Sequence, residues 1–73
     1  MTETEKVVAG RVVAYAHVYN GGAITATRIF FADGTELLLA GDLQFPTIIT
    51  VSITYVEKGS KPNELKKVEL LAG

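Results

Sequence analysis

His17, Ser52 and Ser60 are the residues of this sequence that could serve as a base or a nucleophile; the chain has one histidine and no cysteine. A serine nucleophile needs a base within hydrogen-bond reach and donors for the oxyanion. Ser52 sits in an alternating strand pattern and Ser60 in a polar loop, so neither occupies the sharp strand-to-helix turn of a nucleophile elbow. One histidine without thiolates or clustered carboxylates makes a poor metal site. Asp33 and Asp42 lie beside glycines in turns, and with Glu36 they lack the spacing of a calcium loop or a hydrolytic carboxylate pair. Gly21-Gly22 and Gly41 read as turn glycines, with no phosphate-binding loop around them. The expectation is a protein that is not an enzyme, with no catalytic, cofactor-binding or metal-binding residue and no cofactor.

A second constellation could bind rather than react. Arg11, Tyr15, His17, Tyr19, Arg28 and Phe30 combine aromatic and basic side chains on neighbouring segments, and Lys58 and Lys61 could extend the same surface. Such a set can stack bases and neutralise phosphates. It can equally make protein contacts, where Tyr and Arg are enriched. Charge weighs against the first use. Lys and Arg total 7 against 8 for Asp and Glu, giving a net charge of −1 and a pI near 5.7. Sequence-independent nucleic-acid binding rests on phosphate neutralisation and is disfavoured at that balance.

These side chains need elements to hold them. β-Branched residues are abundant, and both prolines, Pro46 and Pro62, fall between apolar segments. Lys6 to Tyr19 reads as one long strand with a bend or bulge at Gly10. Its alternation separates Val12, Ala14, Ala16 and Val18 from Arg11, Val13, Tyr15, His17 and Tyr19. Asn20-Gly21-Gly22 is a turn. The second strand covers residues 23–32, and a two-residue Asp33-Gly34 turn pairs Phe31 with Glu36, Phe30 with Leu37 and Ile29 with Leu38. A third strand covers 35–40. After a short link at Leu43 to Pro46, the fourth covers 47–56, with Ile49, Val51, Ile53 and Tyr55 on one face. Residues 57–64 read as a polar loop and 65–71 as a fifth strand with Val68 and Leu70 inward.

The expected fold is a single all-β domain over residues 1–73, with a flexible N-terminus at 1–5: a small five-stranded antiparallel barrel or strongly bent sheet with little or no helix. The long bent first strand, the three-strand meander and the long loop before the last strand resemble an OB-like barrel. The missing helix between the third and fourth strands departs from that pattern and leaves an SH3-like barrel open. The acidic, polar start lacks the positive charge and apolar run of a secretory signal, and no apolar run approaches membrane-spanning length. A cytoplasmic protein with no membrane partner is expected.

Apolar residues make up 48% of the chain, and between residues 12 and 56 the charged residues are Arg28, Asp33, Glu36 and Asp42. In the two-residue-turn register, Phe30, Leu37 and Leu39 share one face of the second hairpin while Ile29, Phe31 and Leu38 share the other. A barrel strand has one interior face. Fully burying a Phe, Leu or Ile side chain is worth roughly 1.5–3 kcal/mol, so leaving three in water forgoes much of a small domain's stability. Ile29, Phe31 and Leu38 are therefore expected to form a self-association or partner face, closed most simply by a homodimer. The expected function is a non-catalytic binding module that self-associates and contacts a protein partner, as adaptor, inhibitor or assembly subunit. A compact phage or mobile-element accessory protein would have this size. The alternative is an OB-like single-stranded nucleic-acid binder.

Overall fold

The structure, a computed structural model, describes residues 4–72. The chain forms five strands: β1 (Glu5–Asn20), β2 (Ala23–Phe31), β3 (Glu36–Ala40), β4 (Ile49–Lys58) and β5 (Lys61–Ala72). They close into a barrel in the order β1-β2-β3-β5-β4, and the described residues contain no helix. The part of the expected flexible leader at residues 1–3 lies outside the described residues; Glu5 already pairs with Val56 of β4.

The expected all-antiparallel pairing does not hold, because β3 and β5 run parallel. The reason is topological. Strand directions cannot alternate all the way round a closed ring of five, so at least one seam must be parallel. Here that seam carries one ladder pair among the described residues, Leu39 with Asn63, reinforced by Asn63 Nδ2 donating to Leu38 O at 2.9 Å.

β1 is shared between two neighbours. Its first half pairs with β4 from Glu5 to Val12, and its second half pairs with β2 from Val12 to Asn20. The irregularity expected at Gly10 sits instead at Val13, where Val12 pairs with Phe31 and Ala14 with Phe30. An inserted residue changes the face of everything after it. Val8 and Val12 point inward before the bulge; Tyr15 and His17 point inward after it, opposite Ile29 and Thr27.

The second hairpin also differs from its expected register. Gly34 N donates to Phe31 O at 3.0 Å, Phe31 N donates to Thr35 O at 2.9 Å, and Gly34 has φ 92° while Asp33 is not left-handed. The loop therefore has three residues, a turn followed by a left-handed glycine bulge, rather than the two-residue turn that needs positive φ twice. Ile29 now pairs with Leu37 and Arg28 with Leu38. Ile29, Phe31, Leu37 and Leu39 all enter the core, joined by Val12, Phe45, Val51 and Ile53.

The β4 alternation is as the sequence indicates: Val51 and Ile53 are buried and Ile49 and Tyr55 pack against them. The expected polar loop at 57–64 is largely strand. β4 and β5 meet at a tight Gly59-Ser60 turn, with Lys58 opposite Lys61 and Gly59 at φ 66°. Of the two β5 residues expected inward, Val68 packs on the core, whereas Leu70 remains 66% exposed.

Between β3 and β4 the chain crosses the barrel without forming a regular element, and Phe45 enters the core from this crossing. Buried Thr27 grips the start: its Oγ1 donates to Gly41 O at 2.9 Å and accepts from Leu43 N at 3.0 Å. Ile48 N, donating to Val12 O at 2.7 Å, holds the far end.

Candidate interaction surface

The bulge at Val13 divides the constellation expected to bind a ligand. Arg11 lies on the outside of the barrel opposite Thr50, on the β1–β4 side. Tyr15 and His17 turn inward, with ring centroids 5.5 Å apart and planes at 71°. Tyr19 is exposed beside the Asn20–Ala23 hairpin. Arg28 and Phe30 stay on the outer face of β2. The grouping of these six residues as one face is thus corrected: Arg28 and Phe30 remain together, and Arg11, Tyr15 and His17 do not join them.

His17 has a structural contact. A carbonyl can only accept, so its Nε2–H donates to Leu43 O at 2.8 Å. The same nitrogen lies 3.4 Å from Asp42 Oδ1. With Thr27 it fastens the crossing that carries Phe45. No group of three or more His, Cys, Asp or Glu side chains that could hold a metal is found among the described residues. Among the described residues, no helix is long and apolar enough to cross a membrane.

The expected partner face of Ile29, Phe31 and Leu38 does not exist as a surface. Ile29 is 0% and Phe31 4% exposed, both inside the barrel, and Leu38 alone faces out. The one-residue change in the hairpin loop puts Leu37 and Leu39, rather than Leu38, on the face of Ile29 and Phe31. The same change creates a different outer face. Across β1, β2 and β3 run two rows, Ala14–Phe30–Glu36 and Ala16–Arg28–Leu38; in the next row, Val18–Ala26–Ala40, Ala26 is already buried. Phe30 and Leu38 are half-buried there among alanines. The charges in these rows pair with each other: Arg28 Nη1 lies 3.5 Å from Glu36 Oε1. The result is a weakly polar, nearly neutral outer sheet surface.

A groove of about 580 Å³ opens at one end of that surface. Lys58, Lys61, Pro62 and Glu64 of the β4–β5 hairpin line one wall, and Thr25 and Ala40 the other. Lys58 Nζ is 3.2 Å from Glu64 Oε1, and Lys66 is 3.5 Å from Oε2 of the same carboxylate. Hydrogen bonding to Lys58, with the added charge of Lys66, holds the Glu64 pKa below the ordinary glutamate value. Lys58 and Lys61 are partners across this hairpin, and the Glu64 carboxylate is paired with the first of them.

Sequence reading missed the exposed apolar side chains of β5, Leu70 and Leu71, and with them Ile48. The Leu70-Leu71 pair was visible as a signal, since a strand with one interior face cannot bury two consecutive leucines. Comparison of the chain with family models, curated proteins and solved structures returned no match.

Proposed function

We propose that this chain is a non-catalytic, OB-like interaction module that self-associates and presents the outer face of β1–β2–β3 to a protein partner. The OB-like reading is supported by the ring order β1-β2-β3-β5-β4, the parallel β3–β5 seam, and a first strand shared between both halves of the sheet. The observation that carries the protein-contact reading is the outer face itself. Phe30 and Leu38 sit in a field of alanines, and Arg28 is neutralised by Glu36. Weak charge and a central apolar pair suit a protein interface core better than a phosphate backbone.

The test is affinity capture of binding proteins from the source cells with wild-type chain and with Phe30→Glu and Leu38→Glu variants that keep the native circular dichroism. A defined partner captured by the wild type and lost from both variants supports the reading. An identical set captured by all three, or none, counts against it.

The groove favours one second reading. OB barrels take oligonucleotides against strands two and three, near the β1–β2 and β4–β5 loops, and the groove beside Lys58 and Lys61 lies there. As a single-stranded nucleic-acid binder, the chain would retain an oligonucleotide at 50 mM salt and release it steeply as salt rises. No binding at 50 mM salt would end this reading.

A further inference from the structure

We infer that β5 is a self-pairing edge, and that two copies of this chain join their β5 strands antiparallel about a two-fold axis at Val68. The inference rests on the self-association in the reading above and assigns it a surface other than the Phe30–Leu38 face.

The ring is incompletely zipped. β5 pairs with β4 along nearly its whole length, but on its other side the described residues show the one pair of Asn63 with Leu39. β3 ends at Ala40 while β5 continues to Ala72. Among the described residues, no backbone or side-chain hydrogen bond from another segment reaches residues 65–71 on that side. Unpaired strand edges of this length are templates for another strand. Two register irregularities, near Lys66 and Leu71, flank a regular stretch between them. Leu70 and Leu71 stand 66% and 56% exposed at its end.

The charge pattern selects the partner and the register. In an antiparallel pair related by a two-fold axis normal to the sheet, one residue faces its own copy. Centring on Lys66, Lys67 or Glu69 sets like charges face to face, which is unfavourable. Centring on Leu65 needs Asn63, which β3 already holds. Centring on Leu70 matches no charges. Centring on Val68 sets Val68 against Val68 and Lys67 against Glu69 of the second copy, twice by symmetry. It also brings Leu70 to the aliphatic stem of Lys66, so this exposed leucine gains cover. The Lys67–Glu69 pair within one chain, 3.5 Å apart and well exposed, is exchanged for the same pair between chains.

The experiment is sedimentation velocity of the full chain at micromolar concentrations, with circular dichroism as a fold check. The wild type is expected to sediment as a dimer. Lys67→Glu and Glu69→Lys should each weaken the dimer about tenfold or more, because each places like charges opposite one another at two symmetric points. The double variant Lys67→Glu/Glu69→Lys should restore it. A monomeric wild type, single variants that dimerise unchanged, or a double variant that stays dissociated would overturn the inference. Dimerisation lost in Phe30→Glu but kept in Lys67→Glu would overturn it too, while leaving the wider reading of a self-associating module in place.

Discussion

Gly10 lies directly over the ring of Phe31: a Cβ at residue 10 would stand 3.0 Å from Phe31 Cδ1. Phe31 belongs to the core and pairs with Val12, so the shift of a few tenths of an ångström that an added Cβ demands would press its ring on the barrel interior. The glycine is needed for close approach here and not for a bulge. Gly10→Ala should lower stability by about 1–3 kcal/mol, the ordinary range for overpacking. Urea unfolding followed by circular dichroism measures it. An unchanged midpoint would show that the Phe31 ring can shift freely.

Ile48 is a β-branched residue at φ 66°, with 63% of its surface in water. The left-handed region is costly for such a side chain, and here little burial offsets the cost. Ile48→Gly or Ile48→Asn should raise stability by about 1 kcal/mol, visible as a higher urea midpoint with an unchanged slope. The bond from Ile48 N to Val12 O is made by the backbone and survives either change. A loss of stability in both variants would mean that the exposed isoleucine contributes contacts of its own.

Thr27 holds two backbone groups with one buried hydroxyl. Thr27→Val keeps the shape and strands both Gly41 O and Leu43 N. The expected loss is about 1–3 kcal/mol, with faster amide exchange at Leu43. Thr27→Ser should retain most of the stability. Equal behaviour of Val and Ser at this position would remove the hydroxyl from the account.

Carboxylate titration by NMR should place Asp33 and Glu64 below ordinary carboxylate values. Asp33 is lowered first by its hydrogen bonds from Thr35, including Thr35 N to Oδ1 at 2.9 Å, and Glu64 first by its bond from Lys58. Folded-state values below the unfolded ones mean that the ionised forms favour the native chain. That contribution is present above the unfolded pKa, near 4, and is lost as pH falls through the folded values. Both groups are exposed, so the change should be small. Lys6, raised first by its hydrogen bond to Glu57 at 3.0 Å, has the opposite sense: its contribution is intact below about 10.5 and is lost as pH rises through the raised value. Titration of Asp33 or Glu64 at ordinary values would show that these bonds do not persist in solution.

Much of the all-β architecture was legible in the sequence because it depends on local pattern. Ile49, Val51, Ile53 and Tyr55 alternate strictly, and Asn20-Gly21-Gly22 and Asp33-Gly34 mark turns by residue type alone. What escaped was parity. Asp-Gly serves a two-residue turn and a three-residue bulged turn alike, and the choice decides whether Leu38 or Leu37 faces Ile29. The bulge at Val13 depends on how β1 passes from β4 to β2, a relation between distant segments. Each of these single-residue events turned part of a candidate site inside out: Ile29 and Phe31 at the hairpin, Tyr15 and His17 after the bulge. Arg28 and Phe30 kept their shared outer face because they are two apart on one uninterrupted stretch of β2.

The Phe45 crossing has a consequence for how water could first enter the barrel. Its aromatic stopper hangs on cords at either side, His17 and Thr27 upstream and Val12 downstream, with no coil of its own to stiffen it. Should either cord slip, the interior would be wetted from that end while every rung of the ladder stayed joined.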